Sequence, residues 1–209
     1  MTQGVRSDQL RDRFVGWCHR QGSDFGAAGI VWQQLEARYG EPHRAYHNLR
    51  HIASSLDELD GSGRPDEALE GAIWFHDVIY DPKRADNEVE SIRWFRKATG
   101  PWLNLDLALW IAGLIEATDF RLQIKGVPGW QRMVDIDLAI LSAEQERYDE
   151  YARAIREEYA YVDEPSFREG RGKVLEHFLS RPIYRTSGFQ KREGRARANL
   201  VRELQQLRG

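Results

Sequence analysis

The stretch Ile73-Trp74-Phe75-His76-Asp77-Val78-Ile79-Tyr80, closed by Asp81-Pro82, decides how the rest of the chain is read. Apolar on nearly every side, it predicts a helix over residues 65–80 at the centre of a helical core rather than on its surface. Pro65 suits a first helical turn, and Asp81-Pro82 stops the helix. Into this apolar surround the sequence places His76 and Asp77. Burying a carboxylate there is costly unless good hydrogen bonds or a cation compensate it. A divalent metal ion is one such compensator, and imidazole with carboxylate suits zinc, iron or manganese. An aspartate that caps a neighbouring helix is the plainer reading of the same residue.

Helical periodicity continues on both sides, while strand alternation is scarce. A first helix is predicted over 7–20, with Leu10, Phe14 and Trp17 on one buried face. Gly22-Ser23-Asp24 breaks it and offers a cap for a second helix, which carries Ile30, Val31, Leu35 and Tyr39 and ends at Gly40. A third helix is predicted over 44–59. On it His47 and His51 stand four residues apart, which puts both on one face, one turn from each other. Later helices are predicted near 87–99, 103–117, 130–141, 143–161, 167–179 and 188–207. No internal repeat and no long linker forces a division. The fold class is therefore all-α: one helical domain over 1–209, with a core at about 24–160 and a C-terminal helical extension at about 161–209.

The 209 residues suffice for one well-cored domain, and a formal charge of −3 gives no reason to expect a nucleic-acid polymer as partner. Arginines cluster from Arg181 to Arg202. They read as a solvated helix face or as local phosphate recognition, since a guanidinium fork matches phosphate oxygens. Cys18 lies in the apolar stretch Phe14-Val15-Gly16-Trp17-Cys18 and reads as a packed thiol. The first residues, Met1 to Asp8, lack the apolar core of a signal peptide, and no apolar run approaches the roughly 20 residues of a membrane span. A cytoplasmic protein without a membrane partner is expected. A homodimer is compatible with the sequence, which does not establish one.

Together, Tyr46-His47-Asn48-x-x-His51-Ile52, then His76-Asp77, then Asp137 form a pattern that resembles the HD phosphohydrolase superfamily. There, His, His-Asp and a distant Asp lie on successive helices around a divalent cation. The opening Tyr-His-Asn-x-x-His also looks like that of the cyclic-nucleotide phosphodiesterases, a branch of the same superfamily. The chain is most similar to a sparsely described bacterial group of HD-superfamily metal-dependent phosphohydrolases. Further matching stretches are Trp74 to Pro82, Asn87-Glu88-x-x-Ser91, Asp135-Ile136-Asp137-Leu138, Ile155-Arg156-x-Glu158-Tyr159, Gly170-Arg171 and Ile183-Tyr184.

The resemblance implies an HD-like helical bundle with added C-terminal helices, and His51, His76 and Asp77 as metal ligands. It implies a fourth ligand from Asp135 or Asp137, with Asp137 preferred. His47 is similar to the proton-donating histidine of the phosphodiesterases. Asp77 and Glu88 take catalytic or supporting roles, although Glu88 also reads as an acid favoured at a helix start. Arg156, Arg171, Arg181, Tyr184 and Arg195 match positions suited to substrate binding. The cofactor implied is a divalent ion: Mn, Fe, Zn, Ni, Co or Mg. Where relatives carry histidine after a threonine, this chain reads Thr118-Asp119-Phe120-Arg121, which favours one metal over two. A bound dication lowers the pKa of coordinated water towards roughly 7 and polarises a phosphoryl oxygen. The implied activity is hydrolysis of a nucleotide or other small phosphorylated metabolite. The alternative is an HD-fold ligand-binding module with weak turnover or none.

Overall fold

A computed structural model describes residues 3–61, 63, 65–122 and 126–209, with side chains from residue 7 onward. Every regular element among these residues is helical, which makes the protein all-α. The chain divides into two compact units, Met1–Met133 and Val134–Gly209.

The first unit holds α1 (Gln3–Arg20), α2 (Phe25–Tyr39), α3 (Leu49–Gly61), α4 (Glu67–Phe75), α5 (Asn87–Thr99) and α6 (Leu105–Glu116), and α7 (Trp130–Asp137) begins in it. Its centre is α4, in which every residue from Ala68 to Phe75 is buried, packed against α1, α3, α5 and α6. Gly71 makes that crowding possible. A Cβ there would lie 2.6 Å from Ile111 Cδ1 and 2.7 Å from Trp17 Cζ2, so a side chain would have to push α6 and α1 away. Around α4 the aromatic rings meet edge to face: Phe14 stands 5.4 Å from Trp74, and Trp17 6.0 Å from Phe75. Asp24 caps α2 by accepting from the Ala27 amide, as the sequence predicts. Gly22, with φ of +100°, supplies the left-handed turn that ends α1. Cys18 is buried, and burial pushes its thiol up to about 12, so it is a packing residue.

Two predicted helix ends are corrected. The central helix begins after the N-cap Asp66 and ends at Phe75, not Tyr80. The residues that follow are held by side chains from elsewhere. Arg44 donates to the carbonyls of Asp77 and Val78. The Ser91 hydroxyl bonds both the amide and the carbonyl of Ile79, and Asn87 does the same for Asp81. The third helix begins at Leu49, so His47 precedes it, and the two histidines are not stacked on one helix face. Asn48 sets that start: its side chain accepts from the Arg50 amide, and its carbonyl accepts from the His51 amide.

The second unit contains the end of α7, a 3-10 helix (Leu138–Ser142), α8 (Gln145–Glu158), α9 (Glu164–Leu179), the short α10 (Ser187–Gln190) and α11 (Glu193–Arg208). In it α11 packs on α9, on α8 and on the 3-10 helix. Asn199, buried on α11, donates to the carbonyls of Leu141 and Ala143. Among the described residues, no helix is long and apolar enough to cross a membrane.

Candidate metal centre

His51 lies in the first turn of α3, and His76 and Asp77 follow the last residue of α4. Both imidazoles are almost fully buried, at 3% and 2% exposure. The backbone amide of His76 still bonds back to the Ala72 carbonyl, so the residue stays in register with α4. Its side chain is oriented by that helix too: Nδ1 lies 3.0 Å from the Ile73 carbonyl oxygen. A carbonyl can only accept, so Nδ1 carries the proton. In the neutral ring the lone pair is then on Nε2.

That Nε2 faces His51 Nε2 at 3.0 Å and Asp77 Oδ2 at 3.0 Å, and His51 Nε2 stands 3.6 Å from the same carboxylate oxygen. Two imidazole nitrogens and a carboxylate thus converge in a largely desolvated place. Such a set needs a positive charge among its members, either an extra proton or a cation. Burial by itself would raise the Asp77 carboxyl. When that charge is an extra proton rather than a cation, the charge of His76 and its hydrogen bond, with smaller contributions from His47 and His51, outweigh burial and hold Asp77 well below the usual carboxylate range. One ligand atom from each of His51, His76 and Asp77 lies within 4.8 Å of the others, a spacing at which the group can hold a metal ion. The donor chemistry fits as well: neutral imidazole with a fixed tautomer and an ionised carboxylate are the forms a divalent ion requires.

Around these three residues the first unit arranges a second ring of groups. His47, partly exposed, stacks on Tyr80 at 4.1 Å between ring centres and meets the His51 ring at 6.0 Å. Tyr46 lies 5.0 Å from the His51 ring. Glu88, the second residue of α5, is raised above the ordinary glutamate value by burial, with Asp119 and Asp77 adding to the shift and Arg121 opposing it. Arg121 grips both oxygens of Asp119, at 2.7 and 2.8 Å, and reaches Glu88 at 3.4 Å. Burial would raise Asp119, but the hydrogen bonds from Arg121 prevail and lower it.

The other residues singled out in the sequence fall in the second unit. Asp135 is fully buried, and its carboxylate accepts from the Arg185 amide, the Thr186 amide and the Thr186 hydroxyl at 2.6–2.9 Å. Asp137 closes α7 and is partly exposed. Arg171 pairs with Glu203 at 2.7 Å with both side chains under a tenth exposed. Arg156 satisfies the end of α8 by donating to the carbonyls of Tyr159 and Val162, and it pairs with Glu164. The Tyr184 hydroxyl donates to the Leu138 carbonyl, and Arg195 pairs with Glu144. The Arg181 carbonyl accepts from Arg197.

Sequence reasoning passes over Arg44, although the site leans on it. Its side chain is fully buried and reaches three backbone carbonyls. Its sequence neighbours carry no signal of this, because two of its acceptors lie more than thirty residues away. Tyr80 is passed over for a similar reason: its stacking with His47 follows from the loop after α4, which the predicted helix would have denied. No family model matches this chain, and no curated protein and no solved structure matches it.

Proposed function

We propose that this chain is a metal-dependent phosphohydrolase of the HD type, acting on a nucleotide or another small phosphorylated metabolite. The observation that carries the reading is the convergence of His51 Nε2, His76 Nε2 and the Asp77 carboxylate at 3.0–3.6 Å, with the His76 tautomer fixed from behind. Donors of this kind are those of a catalytic metal site, in which an open position is kept for substrate. Asp137, which the sequence pattern implies as fourth ligand, is part of the proposal. Its rival in the sequence, Asp135, has its carboxylate committed to Thr186 and Arg185. Bound there, a divalent ion supplies Lewis acidity towards water and towards a phosphoryl oxygen.

The chain's own residues complete the reading. His47, partly exposed beside His51 and held by its stacking on Tyr80, holds a proton for the leaving oxygen. Glu88, whose carboxyl binds its proton more tightly than an ordinary glutamate, serves as a supporting acid or base. One ion is proposed rather than two, because Arg121 occupies both oxygens of Asp119 and reaches Glu88, which places a fixed cation on that side.

The same contact motivates a second reading, a ligand-binding module of this fold without turnover. The two are separated by incubating the purified chain with manganese, cobalt, nickel or magnesium and a broad panel of phosphoesters. The hydrolase reading expects cleavage of at least one ester, read by chromatography of its products, that His76→Ala and Asp77→Ala abolish. Metal binding without cleavage of any ester, together with thermal shifts on ligand addition, would favour the binding module. Unchanged metal content in both variants would overturn the metal reading itself.

A further inference from the structure

We infer that Arg44 is a positioning residue, a buried guanidinium that locks the segment carrying His47 to the backbone of Asp77. The inference rests on the metal-site reading above. Arg44 sits in the turn-rich segment between α2 and α3, with its side chain fully buried. It donates from Nη1 to the His47 carbonyl at 3.2 Å and to the Asp77 carbonyl at 2.6 Å. Nη2 donates to the Val78 carbonyl at 3.1 Å, and Nε to Glu41 Oε2 at 3.0 Å. The guanidinium carbon also lies 5.2 Å from the Tyr39 ring centre and 5.6 Å from that of Tyr80, the ring on which His47 stacks.

The chemistry of this arrangement is specific. Because α4 ends at Phe75, the carbonyls of Asp77 and Val78 lie past its end, and the bonds that Arg44 makes to them are part-buried and buried respectively. Leaving them unsatisfied would be costly. One planar fork answers both and, with the same nitrogen that reaches Asp77, takes the carbonyl of His47. Two residues of the site, far apart in sequence, are therefore fixed to a single rigid group. A lysine keeps the charge but offers one nitrogen on a flexible stem, and it cannot reproduce the planar fork. The loss of partners that hold a ligating side chain costs about 10–100-fold in metal affinity, and fixing the backbone of Asp77 is expected to act at the lower end of that range.

The test compares Arg44→Lys with Arg13→Lys. Arg13 makes a similar fork to Asp60 and Glu70 between α1 and the rest of the same unit, away from the site. Cobalt(II) affinity and the cobalt absorption spectrum are measured on each chain well below its melting temperature. The imidazole NMR signals of His47, His51 and His76 are recorded on the same chains without metal. Arg44→Lys is expected to weaken cobalt binding by about tenfold or more, alter the spectrum and shift the His47 and His76 signals. Arg13→Lys should lower the melting temperature with none of these effects. If Arg44→Lys binds cobalt with wild-type affinity and leaves the imidazole signals in place, the inference is overturned. If the wild-type chain takes up no cobalt, the metal reading fails, and the imidazole signals alone decide the role of Arg44. Should Arg44→Lys not fold, Glu41→Gln loosens one contact of the guanidinium and is expected to move the same signals by less; no movement overturns the inference.

Discussion

Two buried charged networks, one in each unit, solve the same physical problem in opposite ways. In the second unit Arg171 meets Glu203 at 2.7 Å, the hydroxyl of Tyr148 donates to the same carboxylate, and Tyr151 accepts from the guanidinium. Asp135 is similarly served by one hydroxyl and two amides. Each negative group there is met by donors from the protein. In the first unit Asp77 meets His76 and His51, and the two imidazoles turn their Nε2 atoms towards each other at 3.0 Å. A closed network stabilises a core. A set of converging electron-pair donors asks for something from outside.

The largest effect is expected at Arg171. Removing one partner of a buried pair leaves the other charge uncompensated, so Arg171→Ala should lower unfolding free energy by about 3–5 kcal/mol. Urea denaturation measures it. A loss near zero would mean that Glu203 finds water as readily as it finds Arg171, and that the second network is not closed.

The next effect belongs to the other region. Ligand that binds only the folded chain stabilises it, and at about a hundred times its dissociation constant the gain is about 2.7 kcal/mol. Manganese or cobalt should raise the melting temperature of the wild-type chain and leave that of His76→Ala unmoved. A variant that still responds would show that the ions bind elsewhere, and the converging donors would then be met by a proton.

Much of the first region is legible in the sequence. His76-Asp77 announces itself because a charged pair interrupts eight residues of core, and α5 is bounded by Asn87 and Thr99 as its periodicity predicts. Asp24 reads as a cap because the breaker Gly22 stands before it. What escapes is everything decided by contacts distant in the chain. The end of α4 is set by Arg44, thirty-three and thirty-four positions away from its acceptors, and by Ser91, twelve positions from Ile79. The resemblance prefers Asp137 to Asp135, yet the periodicity around the two does not say which carboxylate is committed elsewhere. Only the turn at 185–186, some fifty residues on, commits Asp135 to a structural role. Local periodicity records which faces are buried and is silent on which side chain will satisfy a particular carbonyl.

That commitment can be tested with an isosteric change. In Asp135→Asn, one oxygen becomes an amide donor facing the donors of Arg185 and Thr186, so a buried polar group loses its partner. The expected loss is about 1–3 kcal/mol, read from urea midpoints. Metal-linked stabilisation should survive the change. If it disappears instead, Asp135 rather than Asp137 belongs with the ligands.

The smallest effect separates the two carboxylates by sign. Asp77 is held below its ordinary value, 3.8, because the charge and hydrogen bond of His76 outweigh burial. Its contribution to stability is therefore present above that value and lost as pH falls through the lower folded value. Asp135 is shifted the other way, because burial outweighs the hydrogen bonds from Thr186 and Arg185. Its titration favours the folded chain below the ordinary value, and that benefit is lost as pH rises through the raised one. Urea midpoints of the metal-free chain and its asparagine variants, taken between about pH 3 and pH 6 where carboxylates titrate, should diverge accordingly. The gap between wild type and Asp77→Asn should widen as pH rises, and the gap between wild type and Asp135→Asn should narrow. Slopes of the same sign would mean that the imidazoles around Asp77 do not carry the charge assigned to them, and the contrast between the two regions would collapse into a difference of burial alone.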